Sequence, residues 1–265
     1  MNPELLLYLA AGAAAGILSG LFGVGGGLII VSILTFAFAA LGFPEANIMH
    51  LALGTSLATI GLTSISSALA HHRLGNVNWL VVRQITPGII IGTLLGALLA
   101  AHLNSHLLKA VFAVFVLAVA TQLLLNIKPS PHRNLPGNLG ISLTGTGIGV
   151  VSSLVGIAGG TLSVPFLLYC NTDTRHAIGT SAAIGLPIAV AATSAYIFTG
   201  LGVEQLPPLS LGFIYLPAFA GIAFASILSA PWGVALAQRL PVATLKRLFT
   251  LLLFIIGIRM LWEVL

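Results

Sequence analysis

Apolar runs of membrane-spanning length dominate this sequence. A helix needs about 20 apolar residues to cross the hydrocarbon core of a bilayer, which is about 30 Å thick. Six stretches fit, separated by polar or proline-bearing breaks, near residues 51–71, 79–101, 106–126, 176–199, 209–235 and 243–264. Only 6 % of the 265 residues are charged, whereas a soluble domain carries about 25 %. The sequence therefore predicts an all-α polytopic membrane protein and nearly excludes a soluble enzyme.

The few charged and metal-binding residues narrow the classes of partner. Ten basic and five acidic residues give a net charge of +5, which is too little total charge to favour nucleic-acid binding. The single cysteine, Cys170, excludes an internal disulfide and a cysteine-based zinc site. We expect no cofactor and no metal, with the lipid bilayer and a small solute as partners. The sequence leaves homo-oligomerisation open.

Two further apolar stretches do not fit a single crossing. Residues 5–42 are too many for one span and are interrupted by the glycine-rich residues 23–27, while residues 138–171 are interrupted at 156–160. After the second break only about ten apolar residues remain, which is about 15 Å of helix. This length predicts a re-entrant helical hairpin with its tip inside the membrane. The structural alternative, close helix packing through small residues, remains open for each break.

The two halves of the chain repeat each other. Four pairs of segments match in the same order: 16–27 with 149–160, 52–56 with 177–181, Pro87 with Pro217, and 108–112 with 245–249. We therefore predict a first transmembrane repeat at 1–127, a cytoplasmic linker at 128–137 and a second transmembrane repeat at 138–265.

The distribution of basic residues predicts how the repeats are oriented. If each glycine-broken stretch enters and leaves on one side, one face carries Arg73, Arg83, Lys128, Arg133, Arg175, Arg239, Lys246 and Arg247, and the other only Lys109 and Arg259. If each stretch is a single crossing, the split is even. Cytoplasmic loops carry the Lys and Arg excess, so the hairpins are favoured. Each half then holds a hairpin and three crossings, which predicts two inverted-topology repeats with both termini outside the cytoplasm, as in secondary transporters.

The glycine breaks are the first candidate binding site. The helix after each turn points free N–H groups and its positive dipole end at the tip, which suits an anion. We expect Gly25, Gly26 and Gly27 to face Gly159, Gly160 and Thr161 across a central midplane cavity.

The repeated Gly-Thr-Ser motif is the second candidate site. Its hydroxyls belong to Thr55, Ser56, Thr180 and Ser181, and each can donate or accept a hydrogen bond to a substrate. In the structural alternative they bond to their own or a neighbouring helix.

No acidic or basic residue lies deep in a predicted helix, so a proton relay through buried carboxylates has no obvious residue. His50, His71 and His72 lie at predicted helix ends, where they can titrate near neutral pH or act as solvated caps.

The glycine breaks, the Gly-Thr-Ser motifs and the proline-bearing third segments resemble the sulfite exporter TauE/SafE family of bacterial membrane proteins, over about residues 5–262. The resemblance implies a multi-pass protein of the bacterial cytoplasmic (inner) membrane that transports small sulfur-containing anions such as sulfite, organosulfonates or related carboxylates. One departure is that Ala158 precedes Gly159 and Gly160 where the first break has three consecutive glycines, so the two half-sites need not be equivalent.

Three functions follow from these patterns. The first is a secondary transporter, expected to be an exporter, that binds an anion at the breaks and hydroxyls and moves it by alternating access. The second is an intramembrane serine hydrolase built on Ser152 or Ser153 with His176, although nothing in the sequence orients this histidine. The third is a membrane scaffold without a substrate, against which the longest loop, about ten residues, argues.

Overall fold

The computed structural model describes residues 3–22, 26–125, 135–237 and 242–264. The helices in this part are α1 (Pro3–Phe22), α2 (Gly27–Ala40), α3 (Glu45–Arg73), α4 (Trp79–His102), α5 (Ser105–Leu124), α6 (Asn138–Val155), α7 (Gly160–Tyr169), α8 (Thr174–Gly200), α9 (Leu216–Ala237) and α10 (Val242–Trp262). Two short strands, β1 (Ser210–Leu211) and β2 (Ile214–Tyr215), pair antiparallel before α9. The predicted linker, residues 128–137, falls mostly outside the described residues.

Among the described residues, six helices are long and apolar enough to cross a membrane, namely α3, α4, α5, α6, α8 and the part of α9 from Leu216 to Gly233. This confirms the prediction of an all-helical, multi-pass membrane protein. Five of the predicted runs form α3, α4, α5, α8 and α10, with ends that differ by a few residues.

The sixth predicted run, residues 209–235, starts too early. Its first residues form the β1–β2 hairpin, and the helix begins only at Leu216. The backbone N–H of Phe213 donates to the carbonyl of Tyr196 at 3.1 Å, and that of Tyr215 donates to the hydroxyl of Thr55 at 3.0 Å. These groups bond to neighbouring helices and not to an upstream turn, which keeps the segment extended despite its apolar composition.

Both predicted helix breaks are present. The helix α1 ends at Phe22 and α2 begins at Gly27, while α6 ends at Val155 and α7 begins at Gly160. The helix α7 has only 10 residues, as its short apolar arm predicts.

The two helices that carry the Gly-Thr-Ser motif pack against each other in opposite directions. A methyl group added at Gly54 of α3 would lie 3.3 Å from Cβ of Tyr196 on α8, and one added at Gly61 would lie 3.6 Å from Cβ of Ala189. Moving forward along α3 therefore means moving backward along α8. The pair α5 and α10 is also antiparallel, since Lys109 contacts Glu263 and Gly257 lies against Leu117.

Two other helix pairs are parallel, and each joins the two halves. Along α4 and α6, Gly88 lies against Ser142 and Gly92 against Thr146. Along α1 and α9, Gly12 lies against Ile222, and the same register continues one turn later at residues 16 and 226. The glycines let the backbones approach closely, so the first helix of each half packs on the fourth helix of the other.

Each broken pair of helices begins and ends near one neighbour. At the start of α6, Asn138 accepts a hydrogen bond of 2.8 Å from Gln84 near the start of α4. Leu167 near the end of α7 shares a buried apolar cluster with Ala177 of α8 and with Val81, which lies on the same turn as Gln84. In the other half, Tyr215 contacts Tyr8 near the start of α1 at a ring distance of 6.4 Å. The same ring is 5.6 Å from that of Phe38 near the end of α2.

Candidate functional site

The second break is a tight turn built on Gly156. This residue caps α6 in a left-handed conformation, with φ of 70°, and its N–H donates to the carbonyl of Ser152. The N–H of Ile157 donates to the same carbonyl at 3.1 Å. A side chain at position 156 would be strained by this φ, which explains the glycine. Residues 156–160 are all buried.

The start of α7 leaves polar groups unsatisfied. The carbonyl of Gly159 accepts from the N–H groups of Leu162, at 3.0 Å, and Ser163, at 2.7 Å. Within residues 135–237 and the other described segments, the N–H groups of Gly160 and Thr161 have no partner. The hydroxyl of Thr161 is also buried and unpaired there. Three unpaired donors therefore belong to the first two residues of α7, at the positive end of the helix, where a small anion is favoured.

The first break differs from the second in backbone conformation. Gly26, at the N-cap of α2, is left-handed with φ of 68°, whereas Gly159, its counterpart in the repeat, is right-handed with φ of −55°. The backbones of the two breaks therefore differ at equivalent positions, as do their sequences at Ala158. Gly25 lies outside the described residues, so the expectation for it remains a prediction.

The two breaks touch each other in the interior. A methyl group added at Gly27 would lie 2.6 Å from the carbonyl oxygen of Gly156 and 2.9 Å from Cα of Ile157. The contact is about one turn earlier in the second break than the predicted residues 159–161. Beside Gly26 the structure has a space of only about 10 Å³, about the minimum for one water molecule. The tips are thus packed together at Gly27 and Gly156, and the central cavity expected between the breaks remains a prediction.

The two serines of the Gly-Thr-Ser motifs both support the second break. Ser56 donates to the carbonyl of Gly156 at 2.9 Å. Ser163 of α7 donates to the carbonyl of Gly159 at 2.6 Å and also contacts the hydroxyl of Ser181. Since Ser163 has one hydroxyl proton, Ser181 is the donor in that contact.

The two threonines of the motifs hold the halves together. Thr55 accepts a hydrogen bond of 3.0 Å from the N–H of Tyr215, just before α9. Thr180 accepts one of 2.9 Å from the N–H of Asn78, just before α4. Each threonine thus binds the chain that leads into the fourth helix of the opposite half. Both hydroxyls keep a proton to donate, so substrate contact by them remains a prediction.

Ser163 and His50 are two polar residues that the sequence analysis missed or misplaced. Ser163 lies four residues after Gly159, on the same side of a helix, a spacing that a search for polar neighbours of the break would have found. His50 was expected at a helix end but is only 5 % exposed. Its Nε2 contacts the carbonyl of Ala100 at 3.0 Å, and its ring stacks on Phe213 at 4.9 Å.

The residues of the hydrolase alternative do not form a catalytic group. His176, at the exposed start of α8, is bonded to Asp173. Ser152 and Ser153 are fully buried in α6. The hydroxyl of Ser153 donates to the carbonyl of Val150 at 3.0 Å, and that of Ser152 has no partner in the described part of the chain.

The Asp173 carboxylate is the N-cap of α8. The hydrogen bond with His176, together with the N–H of Arg175, holds the pKa of Asp173 below its usual value. The carboxylate therefore stays ionised at the positive end of the helix, where a negative charge is favoured.

Comparison with known proteins gives the family. The family model for sulfite exporter TauE/SafE matches residues 8–260. A "Probable membrane transporter protein" of Haemophilus influenzae is 40 % identical over 262 residues, covering 98 % of this chain and 99 % of that protein. Another of Methanocaldococcus jannaschii is 28 % identical, covering 97 % and 95 %. No solved structure matches the chain. The chain belongs to the sulfite exporter TauE/SafE family and is a membrane transporter protein.

Proposed function

We propose that this protein is a secondary transporter of a small oxyanion, most simply sulfite or an organosulfonate, and that it exports this anion across the bacterial cytoplasmic membrane. The observation that carries the proposal is the start of α7, where the N–H groups of Gly160 and Thr161 and the Thr161 hydroxyl lack partners in the described residues. Unsatisfied donors are costly inside a membrane, and a bound oxyanion would satisfy them without a charged side chain.

The proposed architecture is a pair of inverted repeats, each a re-entrant hairpin and three crossings. The antiparallel packing of α3 on α8, the equivalent helices of the two halves, supports the inversion. The hydrogen bond of Gln84 with Asn138 and the apolar cluster that Val81 and Leu167 share support a hairpin that enters and leaves on one side. The aromatic cluster of Tyr8, Phe38 and Tyr215 supports the same for the first half.

The proposed orientation places most basic residues in the cytoplasm and both termini outside it. Eight of the ten basic residues then lie on the cytoplasmic face. The two exceptions, Lys109 and Arg259, both contact Glu263. The single carboxylate of Glu263 offsets one of these two positive charges, so the two residues weigh less against the orientation.

Transport in this scheme proceeds by movement of one half against the other. In the structure, Gly27 packs against Gly156 where the two breaks meet. Separation of the tips on one side would expose the start of α7, and separation on the other side would release the anion. The hydrogen bonds of Thr55 and Thr180 lie at equivalent positions in the two halves, where they suit pivots that persist through the movement.

The test is sulfite flux in reconstituted vesicles. We expect Gly160→Leu to abolish flux, because the side chain fills the space that the anion needs, while folded protein remains in the membrane. The matched control is Gly147→Leu on α6, since position 147 is exposed and has open space around it. Wild-type flux in Gly160→Leu would contradict the site, and absence of flux for sulfite, sulfate, thiosulfate and small sulfonates in the wild type would contradict the function.

A further inference from the structure

A pocket of about 350 Å³ lies at one end of the helix bundle, away from the glycine breaks. Ligand pockets in proteins fall between about 300 and 1,000 Å³. The pocket is bounded by the end of α2, the starts of α3 and α5 and the end of α10. Its polar lining residues are Thr35, Glu45, Ser105, His106, Lys109 and Glu263.

Lys109 is the cation inside this pocket. Its side chain is only 19 % exposed, and its ammonium pairs with the Glu263 carboxylate. Lys109 belongs to the first half of the chain and Glu263 to the second. Water screens this ion pair only partly, so the Lys109 ammonium attracts the Glu263 carboxylate. The same ammonium would attract a free anion of similar size to that position.

Glu263 has a second cationic partner, so its departure from Lys109 does not leave it unpaired. The Nε of Arg259 lies 3.5 Å from the other carboxylate oxygen of Glu263. The Arg259 side chain is 64 % exposed, and its guanidinium lies 4.1 Å from the centre of the Phe36 ring. The carboxylate can therefore keep Arg259 as its partner while Lys109 binds another anion.

Other groups in the pocket favour an anion as well. The helices α3 and α5 both begin here, so their positive dipole ends face the pocket. Ser105 accepts a hydrogen bond of 3.0 Å from the N–H of Met49, which leaves its hydroxyl proton available to a ligand. The carboxylate of Glu45, which also lines the pocket, repels a bound anion. This repulsion limits the site to a ligand with a single negative charge.

We propose that this pocket is a docking site for a small monovalent oxyanion, such as a sulfonate or a carboxylate, that Lys109 binds in exchange for Glu263. The site goes beyond the one proposed at the glycine breaks and does not depend on it. Thr35 in the pocket is eight residues from Gly27, so the two sites are separated by about 12 Å along α2.

The test is a local one, protection of a cysteine in the pocket. Ala39, an exposed lining residue of the pocket, is replaced by cysteine in a Cys170→Ala chain, and labelling by N-ethylmaleimide is timed in detergent free of phospholipid. We expect methanesulfonate to slow labelling saturably. Glu263→Gln should lower the half-protecting concentration about fivefold, because it removes the internal competitor. Lys109→Met should raise it about tenfold or more, and Lys109→Arg should keep it.

Two controls keep the result interpretable. Arg83→Met, at an exposed position near the start of α4, removes one positive charge outside the pocket and should leave protection unchanged. The double variant Lys109→Met/Glu263→Gln removes both members of the ion pair and should behave as Lys109→Met does. Protection that survives in both Lys109→Met variants, protection that Glu263→Gln weakens, or protection by dihexanoylphosphatidylglycerol but not by methanesulfonate would overturn the proposal. Because labelling does not require transport, failure of the glycine site would leave this readout intact.

Discussion

The hydroxyl of Ser56 on α3 donates a hydrogen bond of 2.9 Å to the carbonyl oxygen of Gly156, in the second glycine break. Both residues are buried, and the bond crosses from one half of the chain to the other. The repeat does not reproduce it, since Ser181 bonds to Ser163 of its own half. Both motif serines therefore serve the second break, which makes that break the better supported of the two.

Ser56→Ala should destabilise the protein by about 1–3 kcal/mol, because it leaves a buried carbonyl without its donor. The measurement is the free energy of unfolding in micelles. The control is Ser32→Ala on α2, where the buried hydroxyl only bonds back to the carbonyl of Leu28 on its own helix. Equal stability of the two variants would show that the bond between Ser56 and Gly156 contributes nothing.

Thr55→Val and Thr180→Val should each cost about 1–3 kcal/mol of stability, since each leaves a backbone N–H of the opposite half unpaired. The two losses should be similar because the bonds are equivalent in the repeat. Thr63→Val is the matched control, as its buried hydroxyl bonds only to carbonyls of its own helix. A loss of stability in only one of the two variants would contradict the equivalence of the two hydrogen bonds.

Gly54→Ala and Gly179→Ala should both impair folding. A methyl group would lie 2.4 Å from the carbonyl oxygen of Phe213 at position 54 and 2.3 Å from that of Asn76 at position 179. Overpacking of this kind costs about 1–3 kcal/mol or more. Gly61→Ala on the same helix should be neutral or stabilising, because its methyl group would meet Ala189 at 3.6 Å. The yield of monodisperse protein after detergent extraction compares the three, and equal yields would contradict the prediction.

The cap of α8 should give an acid dependence to stability. The pKa of Asp173 is lowered in the folded chain by its hydrogen bond with His176. Its contribution is therefore present above the unfolded pKa of about 3.9 and is lost as the pH falls through the lower, folded value. The measurement is the melting temperature from pH 6 downwards, which should fall less steeply in Asp173→Asn than in the wild type. The same dependence on pH in both proteins would contradict the assignment.

Much of the fold follows from the sequence because hydrocarbon imposes simple rules. Runs of about 20 apolar residues must become helices, and α3, α4, α5 and α8 appear within a few residues of prediction. The two glycine breaks also appear as predicted, since a left-handed residue such as Gly156 needs glycine. Apolar composition alone did not reveal the β1–β2 hairpin, whose extended backbone depends on acceptors from other helices.

The roles of polar residues were harder to predict, because they depend on which helices become neighbours. The recurrence of Thr55 and Thr180 predicts substrate binding, and the structure gives each of them a hydrogen bond between the two halves as well. The burial of His50 and the pairing of Lys109 with Glu263 likewise depend on the contact of His50 with Ala100 at the end of α4 and on the packing of α5 on α10. Helical periodicity in one sequence carries no information about such contacts.

An oxyanion bound at the start of α7 would accept a hydrogen bond from the Thr161 hydroxyl, so removal of this hydroxyl is the sharpest test of the site. The measurement is sulfite flux in vesicles that contain equal amounts of Thr161→Val or Thr144→Val, the latter a half-buried threonine of α6 that bonds only to the carbonyl of Gly140. Loss of a hydrogen bond to a charged ligand costs about 1.5–3 kcal/mol, so the Thr161 variant should need about ten times more sulfite for half-maximal flux, or more. An unchanged half-maximal concentration in Thr161→Val, with folded protein in the membrane, would contradict the account.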